Sequence, residues 1–181
     1  MVQNWLKEIR ESARDLKNTR VMVTCAMLLA LEVALNATIA IYLSPSSRIT
    51  FGFLAVAACA YLFGPTPAML VAALSDVLVY LLHPTGFYFP GYTLTAALGG
   101  LIYGLFFYRK SVGIVRILLS QAAITIFLNI ALNSLWVVLT QGKALLAILP
   151  LRVTANAIGY PIYVALLFFL LLFLKRQFKR A

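Results

Sequence analysis

The chain has 181 residues, of which 63% are hydrophobic and only 11% are charged, and its formal net charge is +10. Soluble domains are usually about half apolar and about a quarter charged, so this composition excludes an ordinary soluble fold and predicts an integral membrane protein. A basic chain can bind nucleic acid, but here the basic residues flank apolar segments and form no exposed stripe. We therefore expect no nucleic-acid partner.

The first 20 residues lack the apolar core of a signal peptide. Trp5, Ile9 and Leu16 recur at helical spacing with charged residues between them. This pattern predicts an amphipathic helix over residues 1–20, lying on the cytoplasmic leaflet or docked on a cytoplasmic partner.

Six apolar spans follow, separated by segments rich in Pro, Gly and Ser. Their predicted bounds are Val21–Leu43, Ile49–Phe63, Pro67–Leu82, Tyr92–Tyr108, Ile114–Thr140 and Ile148–Leu174. Spans two to four are shorter than the roughly 20 residues that cross a bilayer, so they either pack inside the others or leave a depression. The predicted fold is an all-α integral membrane protein, a six-transmembrane-helix bundle over residues 21–174, followed by a basic cytoplasmic tail at 175–181.

The basic residues predict the orientation of this bundle. Twelve of the fifteen fall on the side of the termini: Lys7, Arg10, Arg14, Lys17, Arg20, Arg109, Lys110, Arg116, Lys175, Arg176, Lys179 and Arg180. Arg48, Lys143 and Arg152 fall on the other side. The positive-inside rule therefore places both termini in the cytoplasm.

Catalytic, metal and cofactor motifs are not found in this sequence. It contains no GxxxxGK[ST], HExxH or GxSxG pattern and a single histidine. Cys25 and Cys59 lie in apolar spans and are expected to pack as small apolar side chains, not as a disulfide or metal ligands. We expect no enzyme activity, metal or cofactor.

Polar residues at helical spacing within three spans predict a ligand pocket, because polar faces cannot all face lipid. They are Asp76, Tyr80 and His83; Gln121, Thr125, Asn129, Asn133 and Trp136; and Arg152, Asn156, Tyr160 and Tyr163. Each face is richest toward the outside, so the pocket is expected near the extracellular face.

Several of these polar residues also have structural interpretations. Gln121 and Thr125 are expected to bond neighbouring helices. His83 precedes a proline at a helix end, where capping is an alternative to ligand contact. Asp76 contacts either the ligand or a polar neighbour, and Glu32 in span one is equally ambiguous.

The loop after span three is rich in aromatic residues. Phe87, Tyr88, Phe89 and Tyr92 stand among Pro and Gly residues. They are interpreted either as an interfacial aromatic belt or, because the Pro and Gly residues favour a defined turn conformation, as a shaped loop that covers the pocket.

Small residues recur every four positions on two spans, where they allow close helix approach. They are Ala26, Ala30 and Ala34 on span one, and Ala96, Gly100 and Gly104 on span four. Most such ridges serve packing within a bundle, although one on the first span is equally suited to docking a partner.

The motifs "FGP", "ALSDVL" and "PTGFYFPGYTLTAALGGLIYG" resemble those of the S components of energy-coupling factor (ECF) vitamin transporters, most closely the folate-specific ones. The likeness is good from about Arg48 to Lys110 and looser over spans one, five and six. It implies a vitamin site near the outer face, a membrane T component and two ATPases as partners, and delivery by tipping of the S component in the membrane. It also implies that Ala26, Ala30 and Ala34 contact the T component.

Folate has a flat pterin with adjacent N–H donors and an anionic glutamate tail. The residues that we expect to contact it are Arg48, Asp76, His83, Phe87, Tyr88, Phe89, Tyr92, Asn133, Trp136, Arg152 and Asn156. Among them, Asp76 suits the pterin donors, Trp136 and the aromatic loop suit its rings, and the outer arginines suit the tail. Two alternatives stay open: an S component for riboflavin, thiamin or a pyrimidine precursor, and a membrane enzyme or structural subunit.

Overall fold

The computed structural model describes residues 2–38, 40–44, 47–84, 87–111, 113–142 and 145–178. Within these ranges the helices are α1 (Val2–Asp15), α2 (Thr19–Thr38), α3 (Phe53–Phe63), α4 (Pro65–Leu82), α5 (Pro90–Phe107), α6 (Ile114–Ala123), α7 (Asn133–Gln141) and α8 (Leu145–Phe178). A π-helical segment, Ile124–Leu132, joins α6 to α7, and two short strands, β1 (Ala40–Ser44) and β2 (Ser47–Thr50), lie between α2 and α3.

The six predicted spans are present as helices, and the predicted all-α membrane bundle is confirmed. Five helical stretches are long and apolar enough to cross a membrane, and α6, the π segment and α7 together form one of them. The remaining span, α3, has only 11 residues. Its residues Ala55–Ala60 are all buried, so this short helix is packed inside the bundle, which is one of the two outcomes predicted for a short span.

The connection between the first two spans differs from the prediction. The first helix ends at Thr38, not at Leu43, and the second begins at Phe53, not at Ile49. Between them β1 and β2 pair antiparallel, with Ala40 opposite Thr50. The apolar run in β1 was read as helix because apolar content does not distinguish a short strand from a continuing helix.

The fifth span is a single stretch, as predicted, but its middle is π-helical. A π turn displaces the backbone hydrogen-bond pattern, and such turns are frequent at functional sites. Here the Asn129 carbonyl accepts a hydrogen bond from Arg152 Nη1 at 3.3 Å. This hydrogen bond joins α8 to the π-helical segment of the fifth span, beside the cavity described below.

The close approach of α4 and α5 explains the small residues of the fourth span. A Cβ atom at Gly100 would meet the backbone of Ala68, and one at Gly104 would meet Pro65. Both glycines are buried. This ridge therefore serves packing within the bundle.

The amphipathic helix α1 docks on one end of the bundle. The Ser12 Oγ donates to Thr66 Oγ1 at 3.0 Å, and the Thr66 backbone N–H donates to Ser12 Oγ at 3.2 Å. Glu11 pairs with Arg109 at 2.6 Å, and Glu8 pairs with Lys110 at 3.2 Å. Helix α1 thereby lies at the end formed by the start of α4 and the turn after α5, opposite the β-hairpin.

Candidate ligand-binding site

A cavity of about 490 Å³ lies inside the bundle. Its wall combines residues from every span: Glu32, Asn36, Thr50, Phe53, Val56, Ala72, Asp76, Tyr92, Thr95, Ala96, Gly99, Gly100, Tyr103, Gln121, Ile124, Leu128, Asn129, Asn133, Arg152, Ala155, Asn156 and Tyr163. Ligand sites are typically about 300–1,000 Å³, so this volume suits a vitamin-sized molecule.

The polar wall is held by a small number of hydrogen bonds. Tyr103 donates its hydroxyl to Gln121 Oε1 at 2.9 Å, and both side chains are buried. The Asn156 amide donates to the Arg152 carbonyl at 2.8 Å. Arg152 Nε and Asn133 Oδ1 are buried and have no hydrogen-bond partner in the described part of the chain. A ligand with polar groups can satisfy both atoms.

Asp76 is positioned by the loop between α4 and α5. Its Oδ2 accepts a hydrogen bond from Thr93 Oγ1 at 2.7 Å. The Tyr88 hydroxyl lies 2.7 Å from the same Thr93 oxygen, and the Tyr88 ring packs on Tyr80 at 5.1 Å. A change in the conformation of this loop would therefore alter the position of the Asp76 carboxylate through its hydrogen bond with Thr93.

The rest of the aromatic loop packs on α7. Phe89 lies 5.3 Å from Trp136 and 6.1 Å from Tyr92, measured between ring centroids. The Trp136 indole donates to Thr95 Oγ1 at 2.9 Å. Because Thr95 lines the cavity, the indole stands directly behind the wall and is not itself part of it.

The structure brings together many of the residues predicted to bind a ligand. Asp76, Tyr92, Asn133, Arg152 and Asn156 line the cavity. Trp136 and Phe89 contact wall residues, through Thr95 and Tyr92 respectively, and Tyr88 is linked to Asp76 through Thr93.

Three predicted residues lie elsewhere. His83 ends α4 with its backbone N–H bonded to the Val79 carbonyl at 2.9 Å, and its side chain is exposed. Phe87 is 96% exposed. Neither residue is part of the cavity wall, because both side chains are exposed on the surface. Arg48 belongs to β2, but its side chain lies outside the described part of the structure.

Two interpretations from the sequence were incomplete, since one polar pair was not recognised as part of the site and Gln121 was assigned only an interhelical bond. Glu32 was left ambiguous and Asn36 was not considered, yet both line the cavity. Their spacing of one helical turn in an otherwise apolar span was the available signal. Gln121 forms the predicted interhelical bond with Tyr103, but it also lines the cavity.

The alanines predicted to contact the T component lie on the outside of the bundle. Ala26, Ala30 and Ala34 are all exposed on one face of α2, while Cys25 and Glu32 on the opposite face are buried. This face is therefore available to a partner or to lipid.

Comparison with known proteins gives consistent matches over most of the chain. Residues 16–173 match the family model described as "ECF-type riboflavin transporter, S component". A folate transporter FolT of Clostridium novyi is 39% identical over 153 residues, covering 84% of this chain and 88% of the relative. A folate transporter FolT of Leuconostoc mesenteroides subsp. mesenteroides is 33% identical over 161 residues, covering 85% of each.

A solved structure agrees with these sequence matches. The crystal structure of FolT bound with folic acid superimposes with a TM-score of 0.79 at 34% identity, covering 84% of this chain and 93% of that chain. The resemblance predicted from the sequence motifs is confirmed. The chain belongs to the ECF-type S-component family, whose members are subunits of membrane vitamin transporters.

Proposed function

We propose that this chain is a folate-binding S component, which captures folate outside the cell and delivers it with a T component and two ATPases. Two relatives and one solved structure carry folate in their names, and all three share at least 33% identity with this chain. The observation that carries the proposal is a cavity of about 490 Å³ lined by both Asp76 and Arg152. Folate presents N–H donors on its pterin and carboxylates on its tail. A site that binds both groups therefore needs an acidic and a basic side chain.

The side chains have complementary roles in this proposal. Asp76 accepts the pterin N–H donors, because a carboxylate can accept two parallel hydrogen bonds. Arg152 binds a tail carboxylate through its unpartnered Nε, and Asn133 and Asn156 fix the linker between them. Tyr92 packs on the ligand rings from the wall, and Tyr88, Phe89 and Trp136 support that wall from behind.

Residues outside the wall are assigned to the outer mouth of the site. Arg48 on β2 and His83 after α4 lie at the same end of the bundle as the aromatic loop. There Arg48 attracts the anionic ligand, and His83 and Phe87 border the entrance. These roles affect ligand entry more than the contacts of the bound state.

Riboflavin is the second candidate, because the matching family model names it. Riboflavin is uncharged, so it offers no carboxylate to pair with the Arg152 guanidinium in the cavity wall. Its isoalloxazine ring also carries a single N–H donor. The charges of the cavity therefore favour folate.

We further infer that both termini are cytoplasmic. Helix α1, the turn after α5 and the end of α8 carry most of the basic residues and lie at one end of the bundle. The cavity residues Thr50 and Tyr92 lie toward the opposite end, so the site faces the outside. The exposed alanine face of α2 contacts the T component, because small side chains let helices approach closely.

A fluorescence titration tests the proposed function. Purified protein is titrated with folic acid, riboflavin and thiamin, and tryptophan emission is followed. Trp136 lies directly behind the cavity wall, whereas Trp5 lies on α1. Saturable 1:1 quenching by folic acid, lost in Trp136→Phe, is expected. A response to riboflavin or thiamin alone would overturn the folate assignment, and silence to all three would overturn vitamin binding.

A further inference from the structure

The acidic residues of helix α1 are all engaged by the bundle. Glu8 pairs with Lys110 at 3.2 Å, on the turn after α5. Glu11 pairs with Arg109 on the same turn at 2.6 Å. Asp15, the third acidic residue, accepts a hydrogen bond at 3.4 Å from the hydroxyl of the tyrosine that precedes Arg109. The negative charges of α1 therefore face inward, toward contacts within the chain.

The basic residues lie on the opposite side of this helix. Lys7, Arg10 and Arg14 recur at intervals of three and four positions, which places them on one face of α1, and Lys17 follows in the turn to α2. All four are exposed, and we call them the basic row. Lys7 lies 3.9 Å from Glu11, and the other three form no ion pair with a described residue. The row can therefore pair with an anionic partner.

Apolar side chains of α1 are exposed beside the basic row. Leu6, one turn before Arg10, is 61% exposed, and Trp5 is 38% exposed. Tryptophan is typical of the boundary between lipid headgroups and acyl chains. A helix that exposes both basic and apolar residues is stabilised at this boundary, where each kind of side chain finds its own surroundings.

Two connections hold α1 at the level of the membrane surface. Helix α1 ends at Asp15 and α2, which is long and apolar enough to span a membrane, begins at Thr19, so residues 16–18 are the whole connection. Ser12 is fully buried and its Oγ donates to Thr66 Oγ1 at the start of α4. The exposed face of α1 is therefore kept close to the headgroups around the ends of these two helices.

We propose that the exposed face of α1 binds the headgroups of anionic phospholipids, with the basic row on their phosphates and with Trp5 and Leu6 at the acyl boundary. Charge complementarity carries this inference, because a cluster of Lys and Arg next to a spanning helix attracts anionic lipids. An acidic protein surface could pair with the row, but it gives no reason for the exposed Trp5 and Leu6. The matched family region begins at residue 16, so this surface precedes it.

Quenching of Trp5 by brominated lipids tests the proposal. The chain has two tryptophans, so Trp136→Phe leaves Trp5 as the sole emitter. This full-length protein is placed in phosphatidylcholine bilayers with a fixed fraction of brominated phosphatidylglycerol or, separately, of brominated phosphatidylcholine. We expect phosphatidylglycerol to bind near Trp5 at least about fivefold more strongly at low salt, and less so at high salt. Equal quenching by both lipids would overturn the proposal and would leave the row to an acidic protein partner.

A triple variant tests the basic row itself. Arg10→Gln, Arg14→Gln and Lys17→Gln, combined in the Trp136→Phe protein, remove the three basic side chains that form no ion pair with a described residue. They spare the contacts that dock α1 on the bundle, and circular dichroism checks the fold. The preference for phosphatidylglycerol should fall below about twofold. An undiminished preference would overturn the assignment of the headgroups to this row.

The matched control removes the same charge at the other end of the chain. It combines Lys175→Gln, Arg176→Gln and Lys179→Gln in the Trp136→Phe protein. Because these residues are not on α1, the lipid preference reported by Trp5 should be retained. An equal loss in this control would show that net charge alone attracts the lipid, which would also overturn the proposal.

Discussion

The substitution Asp76→Asn removes one negative charge from the cavity and preserves the shape of the side chain. Asp76 is partly buried, and its Oδ2 is held by Thr93 Oγ1 at 2.7 Å. An asparagine oxygen can still accept that hydroxyl, so the local fold should persist. The ligand loses a charge-assisted pair, because the amide can accept only one of two adjacent N–H donors.

The expected loss of folic acid affinity is roughly 2–4 kcal/mol, the range for breaking a desolvated hydrogen-bonded charge contact. This corresponds to a factor of about 30 to 1,000 in the dissociation constant. Equilibrium titration of the purified variant measures it, with circular dichroism and thermal unfolding to confirm the fold. Asp15→Asn on α1 is the matched control and should bind as the wild type does. A folded Asp76→Asn protein with wild-type affinity would refute the contact between this carboxylate and the ligand.

Three other changes test separate parts of the account. Arg152→Gln should weaken folic acid by about 1.5–3 kcal/mol but leave an uncharged pterin, which has no carboxylate, unchanged; equal effects in a titration of both would contradict a tail contact. Ala30→Leu should block co-purification with the T component, because the larger side chain prevents close helix approach, while folic acid binding is retained. Co-purification of an intact complex would show that this face of α2 does not contact the T component. Gly104→Ala should lower stability by about 1–3 kcal/mol, because the methyl meets Pro65, and an unchanged melting temperature would show that α4 and α5 can separate.

The helices were predictable because a membrane span must be both long and apolar, and the sequence alone meets this condition in most spans. Short spans were informative for the same reason: α3, with 11 residues, is buried inside the bundle. The hairpin β1–β2 was not predictable from hydropathy, since an apolar run of five residues satisfies either a strand or a helix end.

The candidate site was partly predictable. Asn133, Arg152 and Asn156 were found because polar side chains at helical spacing must avoid lipid, and all three line the cavity. Glu32 was left ambiguous because Asn36, one turn further along the same span, was not considered with it, and the position of both beside Asp76 in the cavity wall is a property of the tertiary structure.

The positions of the aromatic side chains were also only partly predictable from the sequence. Phe87 and Phe89 are two positions apart in one loop, yet Phe87 is 96% exposed and Phe89 packs on Trp136. Composition left open whether this loop is an interfacial belt or a cover over the pocket, and which ring turns inward depends on the position of α7. Only the folded chain supplies that information.

Calorimetric titration of the purified full chain with folic acid and, separately, with riboflavin tests the central claim most directly. The account predicts saturable 1:1 binding of folic acid and no measurable heat from riboflavin at the same concentration. Binding of riboflavin in preference to folic acid would contradict it, and would mean that the charged groups of the cavity do not select the ligand.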